Sequence, residues 1–133
     1  MKYRIILISI IHRRNFEEIL MIKRKREPHT GKWALPGGFG ALENEKDPFK
    51  AIKDEVYADL GVKYNSKFFT LQYKEEDKPT ICLYFIGKII GNPKIRKDSK
   101  SIEEFKWIPV DEIFNLNLAF EDEVKQIINK IKE

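Results

Sequence analysis

The stretch LPGGFGALENEKDPFKAIKDEVYADLGV, residues 35–62, places a glycine pair ahead of a segment rich in acidic residues. Asp47 followed by Pro48 is the pattern of an N-cap residue and a proline at the first helical position. Gly61 then suits the C-terminal cap, where a left-handed conformation is common. The stretch therefore predicts a glycine loop followed by one short helix.

Acidic residues share one edge of this predicted helix. On a helical wheel Glu55 and Asp59 stand beside an apolar stripe, formed by Phe49, Ile52, Val56 and Leu60. Like charges four residues apart repel unless a cation lies between them, and Mg²⁺ prefers oxygen ligands. The Gly37-Gly38 pair would allow close approach and positive φ, so that the turn presents backbone groups to a metal or phosphate. The alternative is that the acids face solvent and the glycines only make a turn.

The rest of the chain predicts a mixed sheet with few helices. Apolar runs predict strands at 3–11, 19–23, 67–73, 80–90 and 105–110, with a turn at 15–18. A helical turn is predicted at 111–114, and an amphipathic helix at 120–131. No internal repeat or low-complexity linker interrupts them. We expect one α/β domain over residues 1–133.

Composition limits the function classes. The chain has 133 residues, a formal net charge of +4 and a pI near 9.1, which favours anionic partners such as small phosphorylated ligands or RNA. Cys82 is the only cysteine, so a cysteine-based zinc site and an internal disulfide are excluded and a reducing cytoplasm is expected.

The apolar start lacks a cleavage site and reads as a strand rather than a signal peptide. No segment approaches the roughly 20 apolar residues that span a bilayer.

The segments GKWALPGGF and ExxxDLGV resemble the Nudix hydrolases, whose signature ends in Arg-Glu-apolar-x-Glu-Glu-x-Gly-apolar. Anchoring on Gly61 and Val62 keeps Glu55 and the second acid of the pair, Asp59. Three positions depart from the signature: Asp54 replaces its arginine, Ala58 the first glutamate of the pair and Lys46 an earlier glutamate. Because the loop is slightly longer than usual, Glu43 or Glu45 could stand in for that glutamate. Flanking segments resemble ADP-ribose pyrophosphatases, so the similarity covers roughly residues 3–130.

The resemblance implies a Nudix-type α/β/α sandwich with a mixed β-sheet. It also implies magnesium- or manganese-dependent hydrolysis of a nucleoside diphosphate derivative, most simply ADP-ribose to AMP and ribose 5-phosphate. By position, Glu55 would be a metal ligand or base, Asp59 a ligand, and the Gly37 carbonyl another. Glu45 would supply a further metal ligand from the loop, and Gly38 would lie against the substrate.

Candidates outside the signature segment come from three places. Arg24 and Arg26, within the basic run 23–26, are expected to bind phosphates because the guanidinium offers a bidentate fork. Glu103 and Glu104 are candidates for the extra catalytic acid that some family members supply, ahead of the strand predicted at 105–110. Phe120 resembles a family position near the nucleotide. A solvated basic edge, surface acids and a core aromatic are the alternatives.

Two functions remain open from the sequence. The first is a Nudix-type pyrophosphohydrolase, impaired to some degree by Asp54, Ala58 and Lys46. The second is a module that has lost chemistry and binds a nucleotide or a protein partner as a sensor or regulator. A nucleic-acid role ranks third, because no stripe of basic and aromatic residues is evident in the sequence. No membrane partner is expected, and a homodimer is compatible with the ADP-ribose branch that the chain resembles.

Overall fold

The computed structural model describes residues 3–39, 42–43, 45–75 and 77–133. Its strands and helices follow in the order β1 Arg4–Arg13, β2 Glu18–Arg24, β3 Trp33–Ala34, β4 Gly37–Phe39, α1 Pro48–Leu60, β5 Lys63–Lys74, β6 Thr80–Ile90, β7 Ile102–Pro109, a 3₁₀ turn Val110–Asn115 and α2 Glu121–Lys132. The chain divides into two compact units. The first holds the residues up to Ile11 with Pro36–Lys94, and the second holds His12–Leu35 with Ile95–Glu133.

The first unit contains a mixed sheet. β1 runs parallel to β6, with Leu7 opposite Leu83, and antiparallel to β4. β6 pairs antiparallel with β5 along almost the whole length of both strands. Leu7 and Ile10 are fully buried, as expected of a strand with neighbours on both sides. The fold class predicted from the sequence, α/β with a mixed sheet, is confirmed.

Helix α1 begins and ends where the sequence predicts. The Asp47 side chain accepts a hydrogen bond from the N–H of Phe49 at 3.0 Å, and Gly61 has φ 68° with its N–H donating to the Tyr57 carbonyl. These bonds satisfy backbone groups that a helix end leaves unpaired. The apolar stripe is buried except at Phe49, which is 49% exposed and meets the ring of Phe85 edge-on.

The predicted turn at the glycine pair is wrong. Gly37 and Gly38 open strand β4, which pairs with Ile8 and Leu7 of β1, and neither is among the glycines of positive φ. A Cβ on Gly37 would lie 2.9 Å from the carbonyl oxygen of Leu7. Glycine is therefore needed here because the backbones approach closely, and not because the chain turns.

The second unit is antiparallel. His12 pairs with Ile19 in the hairpin of β1 and β2. Strand β2 also pairs antiparallel with β3 and with β7. β7 begins at Ile102 rather than at the predicted Phe105, so Glu103 and Glu104 lie inside the strand and not before it. α2 buries Val124, Ile127 and Ile128, as its helical spacing predicts.

Buried polar groups in the first unit are few and well accommodated. The Tyr64 hydroxyl lies 2.9 Å from the Ile10 carbonyl oxygen and 3.1 Å from that of Phe85. Burial raises the pKa of Tyr64, so the hydroxyl keeps its proton and remains a donor. Cys82 is buried, as expected.

In the described part of the chain, every helix is too short or too polar to cross a membrane.

Candidate functional site

The carboxylate of Glu55 packs against the backbone of Gly38. A Cβ built on Gly38 would lie 2.6 Å from Cδ of Glu55, 2.7 Å from Oε1 and 3.0 Å from Oε2. Glu55 projects from α1 and is half-buried, and α1 contacts β4. The missing side chain of Gly38 therefore makes the space in which the carboxylate of Glu55 lies.

Asp59 follows one helical turn after Glu55 and is also half-buried. Ala58, beside it, is exposed and contributes no oxygen. Among the residues with described placement, no group of three or more His, Cys, Asp or Glu side chains is arranged to hold a metal. One or two carboxylates, completed by waters and substrate phosphates, are a usual set for Mg²⁺. The chemistry of these two acids therefore fits a divalent ion that binds together with a phosphate chain.

Glu45, predicted as a further metal ligand, already has partners at both oxygens. Oε1 accepts from the N–H of Asp47 at 3.1 Å, and Oε2 accepts from Nζ of Lys50 at 2.9 Å. The hydrogen bond from Lys50, followed by that from Asp47, holds the pKa of Glu45 below its ordinary value. Lys46, the departure beside it, is exposed, and its Nζ donates to the Leu42 carbonyl at 3.4 Å. A metal ion at Glu45 would compete with Lys50 for Oε2.

Lys50, which the sequence pattern did not single out, contacts two acids on this face of α1. Its Nζ also lies 3.8 Å from Oδ2 of Asp54, the residue that replaces the signature arginine. A cation is thus present on this face of α1, one turn before the position of the signature arginine. The side chains of Lys50 and Asp54 are each 62% exposed, so solvent weakens their ion pair. The spacing of four residues between Lys50 and Asp54 was the available signal.

In the second unit, Arg24 and Phe120 are brought together. Nε of Arg24 donates to the Pro28 carbonyl at 2.7 Å, and its Cζ lies 5.4 Å from the ring centroid of Phe120. Partial burial, and after it the charge of Arg26, lowers the pKa of Arg24. The ring of His29 meets Phe120 edge-on, with centroids 4.7 Å apart. Two predicted substrate-binding residues therefore share a cluster, and His29 joins them.

Glu103 and Glu104 occupy different environments. Oε2 of Glu103 lies 3.6 Å from Nζ of Lys23, and the Glu103 side chain is 54% exposed. Glu104 is half-buried and stands opposite Lys23 in the ladder between β2 and β7. The register of β2 with β7 is irregular at this point and leaves out Glu103, between Ile102 and Glu104, so the two glutamates also differ in backbone setting.

Comparison with known proteins gives a consistent family assignment. The model of the NUDIX domain matches residues 3–130. An ADP-ribose pyrophosphatase from Methanocaldococcus jannaschii is 33% identical over 93 residues, which cover 66% of this chain and 54% of the relative. The ADPR responsive transcriptional repressor NtrR from Acinetobacter baylyi is 25% identical over 109 residues, which cover 78% of this chain and 43% of the repressor.

Solved structures show the same fold. The NUDIX domain of Shewanella oneidensis NrtR, crystallised with ADP ribose, superposes with a TM-score of 0.80 at 16% identity, covering 99% of this chain and 88% of that one. At such low identity the likeness concerns the fold alone. This chain spans about half the length of the curated relatives that it matches.

Proposed function

The chain belongs to the NUDIX family, and from that premise we propose that it hydrolyses the pyrophosphate bond of a nucleoside diphosphate derivative. ADP-ribose is the first candidate substrate, with AMP and ribose 5-phosphate as products. The observation that carries the proposal is the contact of Glu55 with the Gly38 backbone. A glycine that makes room for a carboxylate is expected where the position of that carboxylate matters for chemistry.

A divalent ion, Mg²⁺ or Mn²⁺, is proposed as the cofactor. Glu55, Asp59 and the carbonyl of Gly37 would hold it, and Glu45 would join them in competition with its bond to Lys50. When bound, such an ion supplies positive charge that offsets the negative charge of the pyrophosphate oxygens. The resemblance of the Glu55 and Asp59 positions to the family signature supports this set.

The remaining steps are assigned to side chains. A water oxygen attacks one phosphorus, its proton passes to a carboxylate, and the bond from that phosphorus to the bridging oxygen breaks, leaving two phosphate monoesters. Glu55 is the first candidate base. Glu104 is the second, because it is less exposed than Glu103, which already pairs with Lys23.

Substrate binding is proposed for Arg24, Arg26, Gly38 and Phe120. The arginines would bind phosphate oxygens through their bidentate forks. The Phe120 ring, 37% exposed, offers a flat apolar surface to a nucleobase. The Pro28 carbonyl fixes the Arg24 side chain, so less conformational entropy is lost when a ligand binds.

A sensor is the second candidate function. Two features favour it: the departures at Asp54, Ala58 and Lys46, and the similarity to a repressor described as ADPR responsive. A sensor would bind the nucleotide through the same residues without turning it over. For either function we propose a small nucleotide as ligand, a cytoplasmic location and a homodimer as the form to test.

The test is release of AMP from ADP-ribose by the purified protein, first with Mg²⁺ and then with Mn²⁺. Glu55→Gln is the key variant because it keeps the size of the side chain and removes the charge. Glu104→Gln and Glu103→Gln form a matched pair for the second base. A panel of other nucleoside diphosphate derivatives runs in parallel, together with calorimetric binding of each.

Metal-dependent release that is lost in Glu55→Gln supports the enzyme. Turnover that survives in Glu55→Gln contradicts the role given to Glu55. A folded protein that binds ADP-ribose but turns over no member of the panel supports the sensor instead.

A further inference from the structure

The positive charge of the chain is concentrated in two segments of the second unit, which we together call the basic patch. It consists of residues 23–27 and 96–103. These segments contain seven of the 25 basic side chains and three of the 21 acidic ones. The other 18 basic and 18 acidic side chains cancel, so the basic patch carries the whole formal excess of +4.

The two segments are tied together by hydrogen bonds. The N–H of Lys25 donates to the Ser101 carbonyl at 3.0 Å, and Nζ of Lys25 donates to the Ser99 carbonyl at 3.0 Å. A turn in which the Ser99 N–H donates to the Arg96 carbonyl carries the cations of the second segment. The Ser99 hydroxyl accepts from the N–H of Ile102 at 3.2 Å and joins this turn to β7. The basic patch is therefore held in place before any ligand arrives.

One cation of the basic patch, Lys23, pairs with Glu103 at 3.6 Å. None of the ion pairs seen among the described residues involves Arg26, Lys97 or Lys100. Arg96 lies 3.8 Å from Asp98, and both side chains are more than two-thirds exposed, so solvent screens that pair. Partial burial and, after it, the charge of Arg26 lower the pKa of Arg24, so these two cations of the basic patch lie near each other.

Aromatic side chains adjoin the basic patch. Phe120 lies under the guanidinium of Arg24, and His29 meets Phe120 edge-on. Proteins that bind single strands combine a cationic track for the backbone with aromatic rings on which bases stack. This combination was not evident from the sequence because Phe120 is distant along the chain from residues 23–27.

We propose that the basic patch binds the sugar-phosphate backbone of single-stranded nucleic acid, with a base stacked at Phe120. This reverses the ranking made from the sequence, where nucleic acid was the third choice. The proposal concerns binding alone. It shares Arg24, Arg26 and Phe120 with the proposed substrate site, whereas Arg96, Lys97 and Lys100 belong to the basic patch alone. A merely solvated basic face would also carry charge, but it would not need the fixed turn or the adjoining rings.

The test is fluorescence anisotropy of labelled oligouridylate and oligodeoxythymidylate, titrated with the full chain over a series of salt concentrations. The variant R96A/K97A/K100A removes three cations from the turn and none of the residues assigned to substrate. The variant K63A/K67A/K88A removes three exposed lysines of the first unit and is matched in charge. We expect the turn variant to lower the salt slope by about 2, at about 0.7 per phosphate contact, and the affinity by at least about tenfold. The matched variant K63A/K67A/K88A should change the salt slope and the affinity much less.

Two further ligands separate base stacking from simple charge. Phe120→Ala should weaken oligouridylate binding by about tenfold and leave inorganic polyphosphate unaffected. Equal losses in the turn variant and the matched variant would overturn the proposal, as would no oligonucleotide binding at low salt. Polyphosphate or anionic vesicles binding as tightly as oligouridylate would also overturn it. ADP-ribose turnover, measured in the same variants, is expected to be unchanged in R96A/K97A/K100A, so failure of this proposal and failure of the proposed enzyme are distinguishable.

Discussion

Gly38 and Glu55 are in direct contact, so that any side chain at position 38 would occupy the space of the Glu55 carboxylate. The atom nearest to a Cβ on Gly38 is Cδ of Glu55, at 2.6 Å. The obstructing group is the end of a flexible side chain, which can rotate away, whereas the strand that carries Gly38 cannot. A substitution at Gly38 therefore acts on the position of the carboxylate more than on the fold.

Gly38→Ala should impair metal binding while leaving the protein folded. We expect a loss of about 10- to 100-fold in Mn²⁺ affinity, the usual effect of disturbing the surroundings of a ligand, and a change in unfolding free energy below about 1 kcal/mol. Calorimetric Mn²⁺ titration and urea denaturation measure the two quantities. Unchanged Mn²⁺ affinity would show that the contact does not position a ligand.

Gly37→Ala is the matched control, with the opposite expected result. Its Cβ would meet the backbone oxygen of Leu7 at 2.9 Å and Cγ1 of Ile8 at 3.1 Å, and the backbone of a paired strand cannot rotate away. Overpacking of this kind costs about 1–3 kcal/mol. The urea midpoint should therefore fall in Gly37→Ala and stay nearly constant in Gly38→Ala.

Ala58→Glu should strengthen the metal site if it lacks only a ligand. Position 58 is exposed, so the longer side chain fits, but a third acid near Glu55 and Asp59 repels them. Without metal we expect a loss of about 0.2–0.5 kcal/mol in stability. With Mn²⁺ we expect affinity to rise about tenfold, equal to about 1.4 kcal/mol, and AMP release to increase. Ala58→Gln, which lacks the charge, should show neither effect.

Lys50→Met should release Glu45. Because Lys50 lowers the pKa of Glu45, the ionised Glu45 stabilises the fold above its unfolded pKa, and that stabilisation is lost as pH falls through the folded pKa. The pKa of Lys50 is raised chiefly by Glu45, so its own contribution is present below its unfolded pKa and is lost as pH rises through the folded pKa. In Lys50→Met, NMR titration should find the pKa of Glu45 nearer its ordinary value and acid denaturation less dependent on this carboxylate.

Lys53→Met is the control for Lys50→Met. Lys53 is exposed on the same helix and takes part in none of the ion pairs described for residues 45–75. Its replacement should leave the Glu45 titration unchanged. If Glu45 is a metal ligand, Mn²⁺ should bind more tightly to Lys50→Met than to Lys53→Met, and equal affinity would count against Glu45.

The ends of α1 were predictable from the sequence because they depend on neighbouring residues. Asp47 caps Phe49 and Gly61 caps the turn at Tyr57, and such contacts are visible in the order of the residues alone. Close approach at the glycine pair was expected from the sequence, but the groups that approach were not, since Leu7 lies far along the chain and Glu55 reaches Gly38 through the packing of α1. The sequence suggested a turn because glycine most often serves that purpose.

Arg24 and Phe120 were both expected to bind substrate, but their contact with each other and with His29 was not predictable, for the same reason. Arg24, His29 and Phe120 meet only because β2 and the start of α2 are brought together by the fold. Phe49 was placed in the core by helical spacing, although it is half exposed. Spacing identifies the stripe of a helix that is apolar, but it cannot tell how far the neighbouring strand extends to cover that stripe.

The left-handed backbone at Phe120 should lower the stability of the protein, while the Phe120 ring should bind substrate. Phe120 has φ 53°, a left-handed conformation that costs a residue with Cβ about 1–2 kcal/mol. Asn adopts this conformation more readily than Ala does, and both replacements remove the ring. Phe120→Asn should therefore be more stable than Phe120→Ala by about 0.5–1 kcal/mol in urea denaturation, while both raise the KM for ADP-ribose to a similar degree. An unchanged KM in both variants would remove Phe120 from the substrate site, whereas a KM raised in Ala alone would assign the effect to helix geometry rather than to the ring.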